Sequence, residues 1–177
     1  MAANHADTIN SSGIVLNDAS IEDYAFSKIS PLQVNNNDIV DVQYFSTKPE
    51  LSDWIGAYIV GVNISASSPI KFGLCSHGED IEQSEYMSTG TSSLQFNLTN
   101  IRSDIVFHFF SNGFSHPIRQ VQSDPIIFLN YNEPLRNRIV PTGDPGVFSL
   151  LWSSATSVSP IVKWGTTPGI YNSSVPA

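Results

Sequence analysis

One cysteine, Cys75, is all the chain has, which excludes an internal disulfide framework and any site built from several thiolates. Charge is scarce as well. Asp, Glu, Lys and Arg make up 14% of residues, against about a quarter in an ordinary globular domain. The few charges are lopsided, 16 acidic against 8 basic, for a net −8. That balance repels phosphate backbones and anionic lipid, and no Lys/Arg cluster offsets it, so nucleic acid and membrane surfaces are excluded as partners. No apolar run approaches the roughly 20 residues needed to cross a bilayer as a helix. The opening residues Met1–Thr8 have neither the basic start nor the apolar centre of a secretory leader.

Apolar residues are plentiful, at 41%, and Ser, Thr and Asn fill much of the rest. Their period is two from Ile39 onward. Val40, Val42 and Tyr44 share one face, with Asp41 and Gln43 on the other. Trp54–Val60 reads as a buried strand introduced by Ser52 and Asp53. Ile70, Phe72 and Leu74 alternate with Lys71 and Gly73, and Leu94, Phe96 and Leu98 alternate with Gln95 and Asn97. Ile105–Phe110 is almost wholly apolar, as a central strand covered on both faces requires. Ile118 and Ile126–Leu129 supply two more short strands. Turn signals at Ser67-Ser68-Pro69, Ser88-Thr89-Gly90, Asn112-Gly113 and Asp124-Pro125 separate these segments.

This pattern predicts an all-β protein: a fibronectin III/immunoglobulin-like β-sandwich over residues 31–130. Residues 1–30 read as loosely ordered, with a short strand at Ile14–Leu16 and a helical turn over Ser20–Phe26, Ser20 serving as its cap. Asn130–Leu135 is a short linker. Residues 131–177 read as the first strands of a second, incomplete sandwich. There Phe148, Leu150 and Trp152 share a face, Val162 and Trp164 pair across from them, and Ile170-Tyr171 begins another strand. Three strands of such a fold leave an open edge and a half-covered core.

Residues able to do chemistry are few and scattered. The four histidines are His5, His77, His108 and His116, whereas a two-metal hydrolase gathers six or so Asp, Asn and His ligands. His108 lies between Phe107 and Phe109 in an apolar strand and reads as a core residue. Cys75, His77 and Glu79 would share one face of an extended strand, but nothing supplies a fourth ligand. Glu79, Asp80, Glu82 and Glu85 form an acidic stretch without the spacing of a calcium loop. Gly143-Asp144 runs into Pro145-Gly146, a turn. Gly113-Phe-Ser115-His-Pro117 puts Pro where a nucleophile elbow needs Gly. No catalytic, cofactor-binding or metal-binding residue is expected in this chain. Four N-x-S/T triplets, at Asn10, Asn63, Asn97 and Asn172, are candidate glycan acceptors, with Asn97 on the outward face of its strand.

Several short motifs in a fixed order carry a family resemblance. Asp53-Trp-Ile-Gly, Pro69-Ile-Lys-Phe-Gly, Arg102-Ser-Asp-Ile-Val-Phe and Phe110-Ser-Asn-Gly resemble the non-catalytic N-terminal fibronectin III-like module of the larger purple acid phosphatases. Asn132-Glu-Pro-Leu-Arg, Pro141-Thr-Gly-Asp-Pro, Leu151-Trp-Ser-Ser and Val162-Lys-Trp-Gly extend the likeness into the sandwich that follows. The resemblance covers about residues 38 to 177. It implies a fragment of a longer protein whose C-terminal metallophosphatase domain hydrolyses phosphate monoesters at a dinuclear Fe(III)–divalent metal centre. The ligand motifs of that centre do not occur here. The resemblance further implies a scaffold or interaction role beside that domain, a homodimer as a further expectation, and an extracellular or vacuolar glycoprotein. A free-standing carbohydrate- or protein-binding module is the alternative, for which Trp54, Tyr58, Trp152 and Trp164 are the candidate contact residues.

Overall fold

A computed structural model describes residues 8–9, 15–16, 23–76, 85–156 and 160–177. The chain divides into two compact units, Met1–Leu129 and Asn130–Ala177.

The first unit is a sandwich of two main sheets. One has three antiparallel strands, β3 (Tyr24–Ser30), β5 (Asp38–Ser46) and β8 (Thr91–Leu98), with β5 in the middle. The other has six: β1 (Thr8–Ile9), β2 (Val15–Leu16), β10 (Ile118–Gln122), β9 (Ile105–Ser111), β6 (Trp54–Ile59) and β7 (Lys71–Leu74), in that spatial order. A parallel pair, β4 (Gln33–Val34) with β11 (Ile127–Phe128), ties the segment after β3 to the end of the unit. A five-residue helix, α1 (Glu85–Thr89), precedes β8.

The period-two reading of β5 and β8 corresponds to their burial. Val40, Val42, Tyr44, Leu94, Phe96 and Leu98 are all buried, and the residues between them face outward or lie at partial depth. Opposite them, β9 is buried along its whole length, as its unbroken apolar run requires. Phe109 lies 6.0 Å from Tyr44 and Phe107 lies 4.9 Å from Phe96, centroid to centroid, so the inner faces of the two sheets meet there. Each such ring contributes about 1.5–3 kcal/mol by leaving water.

One expectation for this unit changes. Tyr24–Phe26 is strand, not helical turn, because pairing with Ser46 and Tyr44 brings the Tyr24 and Phe26 rings to 5.1 and 6.4 Å from Phe109. Burial against a core ring outweighs a one-turn helix, which has little stability of its own. The segment read as loosely ordered through residue 30 therefore holds a core-facing strand. Ser20 lies outside the described residues.

In β7 the structure adds what alternation left open. Its alternation is real, but the apolar set faces out: Phe72 is 58% exposed, and Ile70 and Leu74 are exposed as well. Register explains this. Leu74 opposes Trp54 and Phe72 opposes Gly56, so both share the outer face with Trp54. The inward positions are Lys71 and Gly73, and a Cβ on Gly73 would stand 2.9 Å from Leu94 Cδ1. A larger residue here would have to displace the end of the Leu94 side chain. Lys71, at the edge of the sheet, donates from Nζ to the Asn97 carbonyl of β8.

The outer face of the six-stranded sheet carries a second cluster: Trp54, Tyr58, Ile64, Val106 and Phe110, with Val62 packed against them. The turn after β6 folds Ile64 back over the sheet. Trp54 stacks on Phe110 at 4.1 Å, and its Nε1 donates to Gly113 O, pinning the Asn112-Gly113 turn. Both turn residues have positive φ, 65° and 69°, which Asn and Gly tolerate best.

In the second unit, β12 (Leu135–Pro141) pairs with β13 (Phe148–Ser153), and β14 (Ile161–Trp164) pairs with β15 (Ser173–Pro176). Val162 and Trp164 therefore oppose Val175 and Ser173 rather than β13, and the expected pairing is corrected. Ile170 makes an isolated bridge to Thr167 instead of opening a strand. A tight turn at Thr167–Ile170, with Gly169 at φ 81°, lets β15 fold back along β14.

Candidate functional site

The residues that sequence reasoning singled out are only partly described. His5, Asn10, His77, Glu79, Asp80 and Glu82 lie outside the described residues. Cys75 is fully buried, and burial first, then the Asp53 charge, pushes its thiol far up, so it is no thiolate nucleophile. Among the described residues no group of three His, Cys, Asp or Glu side chains could hold a metal ion. These residues do not fit a dinuclear centre. Thr142 Oγ1 accepts from Asp144 N, and Val147 N donates to Asp144 O, which makes Gly143-Asp144 the expected turn. In the Gly113–Pro117 stretch the His116 carbonyl accepts from Asn112 Nδ2, a turn-closing bond.

Three of the four glycan triplets are described. Asn63 caps its own turn, its Oδ1 accepting from Ser65 N at 3.1 Å. Asn97 faces out from β8 as expected, but its Nδ2 donates to Asn37 O at 2.9 Å. Asn172 is exposed just before β15. Of the candidate aromatic contacts, Trp54 and Tyr58 are buried, Trp152 is half-buried and Trp164 is exposed. The exposed aromatics on the outer face are instead Phe72 and Phe114, edge to face at 5.2 Å beside Trp54.

Two further features stand out, the first of which escaped sequence reasoning and the second of which follows from the half-covered core expected of the second unit. Beneath α1, Asp53 is fully buried. Its Oδ2 accepts from Tyr86 Oη at 2.5 Å and from Glu50 N at 3.0 Å, while Oδ1 has no partner among the described residues. Burial raises its carboxyl to about 6 against the two hydrogen bonds. Burial and the Asp53 bond push the Tyr86 phenol far up in turn. Tyr44 Oη donates to Cys75 O beside them, 2.8 Å away. Asp53 reads as a turn residue in sequence, and only its partner across 33 positions marks it as more.

The second feature is apolar surface on the second unit. Ile139, Phe148, Leu151, Ile161, Trp164, Ile170 and Tyr171 are all exposed, Ile139 to 72%. A cavity of about 400 Å³ in this unit is lined by Trp152, Leu150, Ile161, Val162 and Lys163 among others.

Similarity to known proteins extends over most of the chain. Residues 24–130 match the model of the Fn3-like domain from purple acid phosphatase. The chain is 30% identical over 171 residues to "Probable inactive purple acid phosphatase 1" of Arabidopsis thaliana, covering 84% of this chain and 27% of the relative. It is 26% identical over 166 residues to "Probable inactive purple acid phosphatase 24" of the same plant, covering 83% of this chain and 26% of that relative. The solved structure of purple acid phosphatase PPD1 from yellow lupin (Lupinus luteus) seeds superposes with a TM-score of 0.69 at 26% identity, over 84% of this chain and 29% of that one. The chain thus spans little more than a quarter of the length of the relatives it matches. With that family model matching residues 24–130, more than half of its length, the chain belongs to the purple acid phosphatase family through that family's Fn3-like domain.

Proposed function

We propose that this chain is a non-catalytic scaffold module of a longer purple acid phosphatase-like protein, docking against a metallophosphatase domain that is not among these residues. The observation that carries this reading is the exposed apolar surface of the second unit, where Phe148, Leu151, Ile161 and Trp164 face solvent on two separate hairpins. Two-stranded sheets are marginal alone, so a covering surface would supply the stability they lack. Phosphate monoester hydrolysis, the Fe(III)–divalent metal pair, and any homodimer contact would then be properties of the whole protein. An extracellular or vacuolar setting suits the low charge and the three described glycan triplets.

The test is to purify the 177-residue chain alone and together with the metallophosphatase domain of a relative such as the yellow lupin enzyme. The chain alone should bind no stoichiometric iron or zinc and leave p-nitrophenyl phosphate intact. With the partner it should co-elute, and hydrogen exchange in β12–β15 should slow. Turnover by the chain alone, or unchanged exchange on mixing, overturns the reading.

A second reading, a free-standing carbohydrate- or protein-binding module, draws on the exposed Phe72–Phe114 pair. Glycan-array binding lost in Phe114→Ala would favour it.

A further inference from the structure

The outer face of the six-stranded sheet holds a polar cavity that the scaffold reading does not use. The turn over residues 59–65, Val106, His108, Arg119 and Gln122 enclose about 370 Å³. Register brings the polar side chains together. Gln122 opposes His108 across the β9–β10 ladder, and Arg119 opposes the neighbouring outward residue Phe110, with the shift between Arg119 and Val121 keeping both on one face.

Each polar group in this wall can donate. His108 is 2% exposed, held edge-on to Tyr58 at 5.4 Å, and its Nδ1 has no partner among the described residues. A buried N–H without an acceptor is rarer than a buried lone pair without a donor, so the proton belongs on Nε2. Burial, then the Arg119 charge, keeps the ring neutral. Arg119 makes no side-chain hydrogen bond or ion pair among the described residues, although the chain carries 16 acidic side chains. Among the described residues no carboxylate lines the cavity. A guanidinium beside a neutral imidazole repels a metal cation, while its planar fork fits two oxygens of one anion.

We propose that this cavity binds a small oxyanion, with Arg119 gripping two oxygens and Gln122 and His108 donating to the others. Phosphate and carboxylate share this chemistry. The inference is independent of the scaffold reading, since it concerns the first unit alone.

The test is an NMR titration of the whole 15N-labelled chain at constant ionic strength, with inorganic phosphate in one arm, acetate in a second and chloride as control. Saturable shifts should be confined to residues 59–65, His108, Arg119 and Gln122, and bound anion should move the His108 titration upward toward the ordinary histidine range. Arg119→Gln should weaken binding by about tenfold or more, and Arg119→Lys by less. Gln122→Ala, a milder change at the same wall, should weaken it several-fold should Arg119→Gln disturb the fold. Saturation by phosphate alone identifies a phosphate site, and by acetate alone or both a carboxylate-tolerant one. Linear, chloride-like responses in both arms, or affinity unchanged in Arg119→Gln and Gln122→Ala, overturn the proposal.

Discussion

Tyr86 Oη donates to Asp53 Oδ2 at 2.5 Å, and neither side chain reaches solvent. This contact ties α1 to the start of β6. Asp53, raised to about 6 from an ordinary 3.8, holds its proton more tightly folded than unfolded. Its contribution is therefore fully present below about pH 4 and is lost as pH rises through 6. The loss is on the order of 3 kcal/mol. Asp53→Asn keeps an acceptor for Tyr86 without the charge. Relative to the parent, the variant should gain stability between pH 4 and 6 and level off above, which urea melts at stepped pH will measure.

His108 works in the opposite sense. Its folded value is lowered to about 4 from 6.5, by burial and then by Arg119. Its contribution is complete above about pH 6.5 and is lost as pH falls through 4, again by roughly 3 kcal/mol. The two buried groups thus offset one another across the acidic range. His108→Gln should unmask the Asp53 slope, so that stability in this variant falls steadily from pH 4 to 6 while the parent changes little. A parallel fall in both proteins would contradict the assignment.

Lys71 guards an open edge. Strands β7 and β8 are the terminal strands of their two sheets, and a groove lined by residues 69–73 and 94–97 runs between them. Lys71 Nζ occupies an edge carbonyl there, that of Asn97, and an inward-facing charge on an edge strand discourages pairing with a second chain. Lys71→Thr should leave the melting temperature within a few degrees yet shift the chain toward dimers or larger species. Light scattering after size-exclusion chromatography will show whether it does.

Two glycines should differ sharply. A Cβ on Gly90 would lie 2.1 Å from the Ser46 carbonyl oxygen, with φ at 74°. Gly90 N also donates to Tyr86 O, closing α1. Gly90→Ala should therefore cost about 3 kcal/mol or more. At Gly73 the obstacle is the movable end of Leu94, so Gly73→Ala should cost about 1–2 kcal/mol. Thermal melts of the pair will rank them.

Alternation made the sandwich legible. Val40, Val42 and Tyr44 announce an inner face because only a half-buried strand keeps that period. It could not say which face of β7 turns inward, because Ile70, Phe72 and Leu74 are apolar whether they meet the core or the Trp54 cluster. Register decides that, and register is set by β6. Partner choice was equally hidden: Trp164 carries no mark distinguishing Ser173 from a residue of β13. Tyr24 and Phe26 misled because a cap-like Ser20 precedes them, while the ring they pack on, Phe109, stands more than 80 positions downstream. The family motifs were readable because each sits at a turn or an edge, where residue identity is tightly constrained.

The pairing of Gln33 with Ile127 and of Val34 with Phe128 has a consequence for biogenesis. It fastens a strand from the first third of the sandwich to nearly its last residue, a loop closure over more than 90 positions, and such distant contacts slow folding. On the ribosome, the nascent polypeptide cannot complete this clasp until Phe128 has cleared the exit tunnel, so the apolar strands already synthesised must wait, exposed, for their final partner.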